Sequence, residues 1–129
     1  MERKGFSLLE ILVVITIITI TVMALGYGLT YAVKYSKLNN LREQALYKAD
    51  KVANHLSALD FNHACLQPGV TYDCGSDTLG CCDGYSGDSS ITYTVESVNP
   101  DLKKIVVEVK FESMKTPGRV HLERLKGNW

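Results

Sequence analysis

The sequence lacks an excess of positive charge, because 14 Lys and Arg residues are balanced by 14 Asp and Glu residues among the 129. Affinity for nucleic acid comes largely from cationic side chains that neutralise phosphates, so this balance disfavours nucleic acid as the main partner. The length also has room for one small domain and not two. We therefore expect one small domain whose main task is not nucleic-acid binding.

Cysteine is absent before Cys65, and proline is absent before Pro68. Paired Cys-x-x-Cys motifs and the haem signature Cys-x-x-Cys-His are also missing, which disfavours a cytosolic zinc site and covalently attached haem. The four cysteines share one short window downstream of an apolar segment, at Cys65, Cys74, Cys81 and Cys82. This placement favours disulfides in an exported domain.

The adjacent cysteines Cys81 and Cys82 are not expected to bond to each other. Consecutive Cα atoms lie about 3.8 Å apart, whereas disulfides prefer Cα separations of about 4.4 to 6.8 Å. Each should therefore pair with Cys65 or Cys74. Two connectivities satisfy this condition, and the sequence does not choose between them.

From Phe6 to Leu29 nearly every residue is apolar, Gly, Ser or Thr. A membrane-spanning helix needs about 20 such residues, so residues 6–29 are predicted to cross a bilayer. Glu10 is the anomaly, since a carboxylate costs up to about 3 kcal/mol at the bilayer centre and less toward the interface. It either reaches water at the headgroup boundary or has a specific partner.

The segment Gly5-Phe6-Ser7-Leu8-Leu9-Glu10, preceded by the basic residues Arg3 and Lys4, resembles the precursors of type IV pilins and pseudopilins. Those precursors carry a short basic leader ending in Gly, followed by an aromatic residue, a small polar residue, two aliphatic residues and Glu. The resemblance implies that a prepilin peptidase removes residues 1–5, cleaving between Gly5 and Phe6, and methylates the new amino terminus at Phe6. It also implies that Glu10 neutralises the amino terminus of a neighbouring subunit.

An ordinary secretory signal is the competing interpretation. Its cleavage site would follow the small-residue pattern Val22-Met23-Ala24 and would release a soluble exported protein. That interpretation leaves Glu10 unexplained. Orientation is weakly marked, because Arg3 and Lys4 favour a cytoplasmic start while Lys34 and Lys37 lie on the far side.

The helix is predicted to continue through an amphipathic segment, residues 30–60, without a turn signal. Its apolar stripe has the spacing of threes and fours that one helix face requires, at Leu38, Leu41, Ala45, Ala49, Val52, Leu56 and Leu59. Residues 61–129 are expected to form a globular head outside the cytoplasm. Within it, residues 61–90 read as a Cys-rich loop and residues 91–125 as antiparallel strands.

Three alternating segments predict half-buried strands, at residues 91–95, 105–112 and 119–125. The amphipathic helix is the element available to cover their apolar face, which gives an α+β, pilin-like fold of one long helix on a three-stranded antiparallel sheet. Consecutive turns are marked by residues 99–101 and 116–118.

No catalytic or metal spacing stands out among His55, His63 and His121, so we expect no enzymatic activity and no cofactor. Calcium is the one metal considered, because the loop contains four Asp residues, at Asp73, Asp77, Asp83 and Asp88. They lack the spacing of an EF-hand, and Asp is an ordinary loop residue.

The sequence therefore predicts a structural subunit of a type IV pilus-like filament or of a type II secretion pseudopilus. Leu8-Leu9-Glu10 and the compact Cys-stapled head resemble minor subunits, which prime or cap assembly. A tip subunit that binds a surface, DNA or a secreted substrate is the alternative. The implied partners are the prepilin peptidase, other pilin or pseudopilin subunits, an inner-membrane assembly platform and, before assembly, lipid of the bacterial inner membrane.

Overall fold

The computed structural model describes residue 5, residues 7–113 and residues 117–128. The described chain divides into two compact units, an amino-terminal unit Met1–Leu38 and a carboxyl-terminal unit Asn39–Trp129. Of the predicted leader, only Gly5 lies within the described residues. Phe6 lies outside them, and so does Thr116, the first residue of the predicted turn at residues 116–118.

Helix α1 spans Leu8–Ala58 and follows from a sequence that contains no proline over this range. Proline would remove a backbone donor and clash with the preceding turn. Gly26 and Gly28 each disfavour the helix by about 1 kcal/mol relative to Ala, yet α1 continues through both. Helix α1 ends at Ala58, within the amphipathic segment predicted at residues 30–60.

Within the described residues, the sheet contains four antiparallel strands in the order β1-β2-β3-β4, and not the three that the sequence predicts. Their bounds are Thr71–Asp73 for β1, Ile91–Asn99 for β2, Leu102–Glu112 for β3 and Pro117–Gly127 for β4. The additional strand β1 lies inside the predicted Cys-rich loop and pairs Tyr72 with Tyr93 of β2. A strand of three residues is too short to show an alternating pattern in the sequence.

The core of the carboxyl-terminal unit lies between α1 and the sheet. The helix contributes four residues of the predicted stripe, Ala45, Ala49, Val52 and Leu56, and also Ala53. Leu38, at the start of the predicted stripe, is exposed. The central strands β2 and β3 contribute every second residue, namely Ile91, Tyr93, Val95, Ile105, Val107 and Val109. This packing confirms the predicted α+β arrangement of a helix on an antiparallel sheet.

Cationic side chains from β3 and β4 meet the carboxyl-terminal end of α1. The Lys126 ammonium donates to the carbonyl of Ser57, and the Lys103 ammonium donates to the carbonyl of Phe61 and lies 4.2 Å from the centre of its ring. A helix ends with unpaired carbonyls and a partial negative charge, which Lys126 complements at Ser57, while Lys103 binds the chain just after the helix. The contacts fix the orientation of the sheet on the last turns of the helix.

Glycine is required at Gly118, where β4 passes the ring of Phe111. The two residues are cross-strand partners, and a Cβ at Gly118 would overlap the Phe111 ring. The ring covers the bare backbone of the glycine, an arrangement that favours one register for the β3–β4 pair.

Candidate functional site

The amino-terminal segment holds the predicted processing and assembly residues. Gly5 lies in open space, with nothing within 4 Å of where a Cβ would be, so its backbone is accessible. The chain enters α1 through Ser7, whose carbonyl accepts from the backbone N–H of Glu10 at 2.9 Å and of Ile11 at 3.3 Å. The predicted methylation residue Phe6 lies between these positions and outside the described residues.

Glu10 lies in the first turn of α1 and is exposed. A carboxylate is favoured there, because the first backbone N–H groups of a helix are unpaired and carry a partial positive charge. In the sequence, Glu10 is also the one charged residue between Phe6 and Val33. Its carboxylate therefore stands alone in an apolar run.

The apolar run of α1 is exposed throughout the amino-terminal unit. Helix α1 is long enough and apolar enough to cross a membrane, by length and composition, and the qualifying stretch buries none of its residues. Ile20, for example, is 68% exposed. Such a surface is unfavourable in water and suits lipid or the apolar surface of a partner.

Hydroxyl groups within this run are bonded to the helix itself. Thr16 donates to the carbonyl of Leu12 at 3.0 Å, and Thr21 donates to the carbonyl of Ile17 at 2.7 Å. Thr19 bonds in the same way to the carbonyl four residues earlier. Polar groups in lipid must be satisfied internally, so these threonines add little cost to membrane insertion.

The second candidate region is the Cys-rich loop of the carboxyl-terminal unit. Cys65 bonds to Cys81 and Cys74 bonds to Cys82, with Cα separations of 5.6 and 5.8 Å. This is one of the two connectivities that the sequence leaves open. All four half-cystines are buried in the same core as the helix and the sheet, so the bridges join the loop to that core.

The carboxylate of Asp77 organises both adjacent cysteines. One oxygen accepts from the backbone N–H of Leu79 at 3.1 Å and of Cys81 at 3.2 Å, and the other accepts from Cys82 N–H at 3.0 Å and the Ser86 hydroxyl at 2.9 Å. Burial raises the pKa of Asp77, but these hydrogen bonds to the charged form outweigh it and hold the pKa below its ordinary value. From the sequence, Asp77 is considered as a calcium ligand, and this role in holding the turn is not predicted.

The other acidic residues of the loop have separate contacts. Asp73 accepts from the N–H of Gly75 at 2.8 Å, and Asp88 accepts from the Lys48 ammonium at 2.8 Å, which lowers the pKa of Asp88. Asp83 lies 3.8 Å from His55. Within the described ranges, no group of three or more His, Cys, Asp or Glu side chains is placed to hold a metal ion.

A stacked pair of tyrosines joins the loop to the sheet. The rings of Tyr72 and Tyr93 lie 4.8 Å apart, and their hydroxyls donate to the carbonyls of Ala64 and Cys65 respectively. Burial of Tyr93, followed by the nearby Tyr72 and Asp77, raises the pKa of its phenol far above the ordinary value. The two hydroxyl groups therefore tie the segment around Cys65 to β1 and β2.

Comparison with known proteins bears on the first of these two regions. Residues 1–26 match the family described as the prokaryotic N-terminal methylation motif, which is the type IV pilin and pseudopilin signature. The chain thus carries the amino terminus of a pilin-like protein, as its first ten residues predict. No curated protein and no solved structure matches the chain.

The methylation motif and the fold together indicate what kind of protein this chain resembles. The motif implies processing by a prepilin peptidase and assembly with other pilin subunits, and proteins of this kind are structural. Together with the long apolar helix, it fits a membrane-anchored, pilin-like protein. The two disulfides of the carboxyl-terminal unit agree with the prediction of a pilin-like protein that contains disulfides.

Proposed function

We propose that the chain is a membrane-anchored structural subunit of a type IV pilus-like filament or a type II secretion pseudopilus, and that it acts as a minor subunit that primes or caps assembly. The supporting observation is that two features overlap. The methylation motif of residues 1–26 extends through most of the exposed apolar stretch of α1. A leader that is removed and an apolar stretch that remains together make a subunit that can move from lipid into a filament.

In this proposal cleavage follows Gly5 and creates a methylated amino terminus at Phe6. That terminus carries a positive charge, while Glu10 carries the negative charge of an otherwise uncharged run. Neither charge is favourable alone in an apolar helix bundle, since an unpaired buried charge costs about 3 to 5 kcal/mol. Pairing Glu10 of one subunit with Phe6 of a neighbour removes this cost only in the assembled state.

The carboxyl-terminal unit contributes a stable domain that lies outside the cytoplasm. Its two buried disulfides require an oxidising compartment, which the cytosol does not provide. This supports a single-pass orientation with the amino terminus of α1 in the bacterial inner membrane and the disulfide-linked unit beyond it.

The test is incorporation of Glu10 variants into filaments beside normal subunits. Glu10→Gln retains the shape of the side chain and removes its charge, and co-purification with filaments should fall about tenfold or more. Membrane level should be unchanged or slightly higher, because a charge that is costly in lipid has been removed.

Thr21→Val is the matched control, since the Thr21 hydroxyl bonds to its own helix and carries no charge. It should be incorporated normally. Full incorporation of Glu10→Gln at normal membrane levels would show that Glu10 is an interfacial residue without a role in assembly. The amount of the normal chain in purified filaments tests the minor role, which predicts far fewer copies than the main subunit.

A further inference from the structure

Three tyrosines lie along one face of α1, at Tyr27, Tyr31 and Tyr35. Their exposed fractions are 79%, 75% and 61%. Every fourth residue of an α-helix is displaced by only about 40° around the axis, so the three rings form one row. We call these three residues the tyrosine row.

The tyrosine row begins where the apolar run becomes long enough to have crossed a bilayer. Leu8 to Gly26 is an uninterrupted, exposed stretch of α1. With the remaining residues up to Leu29, the apolar run is about 33 Å long at about 1.5 Å per residue, slightly more than the roughly 30 Å of a hydrocarbon core, so it can span the core while moderately tilted. Tyr27 therefore follows at the depth of the headgroups, where tyrosine is enriched because its ring is apolar and its hydroxyl is polar.

The row is longer than the headgroup region is thick. Tyr27 and Tyr35 are eight residues apart, about 12 Å along the helix axis. The polar region of one leaflet is only about 5 to 8 Å thick, so an upright helix would carry Tyr35 beyond it. Tilting α1 toward the side of the row reduces the difference in depth between the three rings, and interfacial anchors of this kind set helix tilt.

Neighbouring residues agree with a polar, phosphate-rich partner on this side. Lys34 is exposed and adjoins Tyr27 and Tyr31 on the helix surface at spacings of seven and three. A long ammonium side chain there can reach lipid phosphates. The opposite face carries Leu29 and Val33, which lack polar tips and are 68% and 67% exposed.

We propose that the tyrosine row is an anchor for lipid headgroups, which tilts the membrane-inserted subunit so that Tyr27, Tyr31 and Tyr35 lie against the bilayer surface from which the chain emerges. The proposal rests on the membrane-anchored state of the proposed function. It adds a lipid-binding face and a defined tilt to that state.

The test compares two tryptophan positions on opposite faces of α1 in the full chain. Tyr31→Trp places a fluorophore in the row, and Val33→Trp places one about 200° around the helix and only about 3 Å further along it. Both carry Trp129→Phe, so that each chain has one tryptophan. The chains are reconstituted in vesicles of phosphatidylcholine with phosphatidylglycerol, containing lipids with a spin label near the headgroup.

The tilt predicts that the spin label quenches the tryptophan at position 31 at least about twofold more strongly than the tryptophan at position 33. The tryptophan at position 31 should also emit at shorter wavelength than the one at position 33. Equal quenching at the two positions would overturn the proposal. So would quenching at position 31 that falls as the protein-to-lipid ratio rises, because a second copy of the chain would then cover the row.

Maturation and filament incorporation of the same variants separate this proposal from the proposed function. If both variants are processed and assembled normally while the two positions are quenched equally, the lipid anchor alone is wrong. If neither variant nor the normal chain is processed or assembled, the proposed function fails, whatever the quenching shows.

Discussion

The two units of the chain use the same kind of residue for opposite purposes. Leu12 in the amino-terminal unit is 59% exposed, whereas Leu56 in the carboxyl-terminal unit is fully buried, although both belong to α1. The burial of Leu56 stabilises a fold by removing apolar surface from water. The exposure of Leu12 prepares the helix for a lipid or protein environment that lies outside the single chain.

The same contrast holds for the polar groups. Glu10 of the amino-terminal unit is the one charged residue between Phe6 and Val33, in a segment where a carboxylate is costly unless water or a partner solvates it. Asp77 of the carboxyl-terminal unit receives four hydrogen bonds from its own loop. One unit is built for association, and the other is stable by internal contacts.

The largest effect that separates the units should come from the disulfides. Reducing Cys65–Cys81 and Cys74–Cys82 releases two closed loops, each of which contributes about 2 to 4 kcal/mol to the free energy of unfolding. Chemical denaturation of the detergent-solubilised chain, followed by near-ultraviolet circular dichroism of the head tyrosines, should show the loss. Membrane association should persist after reduction, and its loss would show that the units are not independent.

A pair of leucine substitutions compares the exposed part of α1 with its buried part. Leu56→Ala leaves a cavity in the core and should lower the free energy of unfolding of the carboxyl-terminal unit by about 2 to 5 kcal/mol. Leu12→Ala is the matched control and should change that quantity by less than about 0.5 kcal/mol. Denaturant titrations of both variants measure the difference. Equal losses would contradict the separate roles of the two leucines.

A smaller effect is expected at Asp77. Asp77→Asn weakens the hydrogen bonds that hold Cys81 and Cys82, and should cost about 1 kcal/mol near neutral pH. Because folding lowers the pKa of Asp77, its charge stabilises the fold fully above the unfolded pKa of about 4 and ceases to do so as the pH falls through the folded pKa.

The difference between the normal chain and Asp77→Asn should therefore shrink in acid, which denaturation at pH 6 and at pH 3 can measure. Asp83→Asn is the control, because its side chain is half exposed and lies 3.8 Å from His55 without the four donors. A difference that stayed constant with pH would show that the charge of Asp77 is unimportant.

Much of this architecture follows from the sequence, because it depends on local patterns. The absence of proline and the stripe through Ala45, Ala49, Val52 and Leu56 predict the helix and its buried face, and alternation predicts β2, β3 and β4. The strand β1 has only three residues among turn formers, and it exists because Tyr72 pairs with Tyr93. Such long-range pairing leaves no local signal.

The candidate functional residues are likewise predictable from the sequence only in part. The motif from Gly5 to Glu10 is contiguous and can be recognised from the sequence, as can the exclusion of a Cys81–Cys82 bond. Which cysteine meets Cys81 depends on how the loop folds back on the sheet, and that information is not local. The role of Asp77 likewise depends on a turn that brings the N–H groups of Leu79, Cys81 and Cys82 around one carboxylate.

The measurement that tests the central claim most directly is the intact mass of the mature chain from cells that contain a prepilin peptidase. Processing by the peptidase should yield a chain that begins at Phe6, carries one added methyl group and contains two disulfides. Gly5→Val should retain the leader and yield the full-length mass, because a branched side chain would obstruct the backbone at the cleavage point. A mature chain that begins near Leu25, or normal processing of Gly5→Val, would contradict the assignment of this chain as a pilin-like subunit.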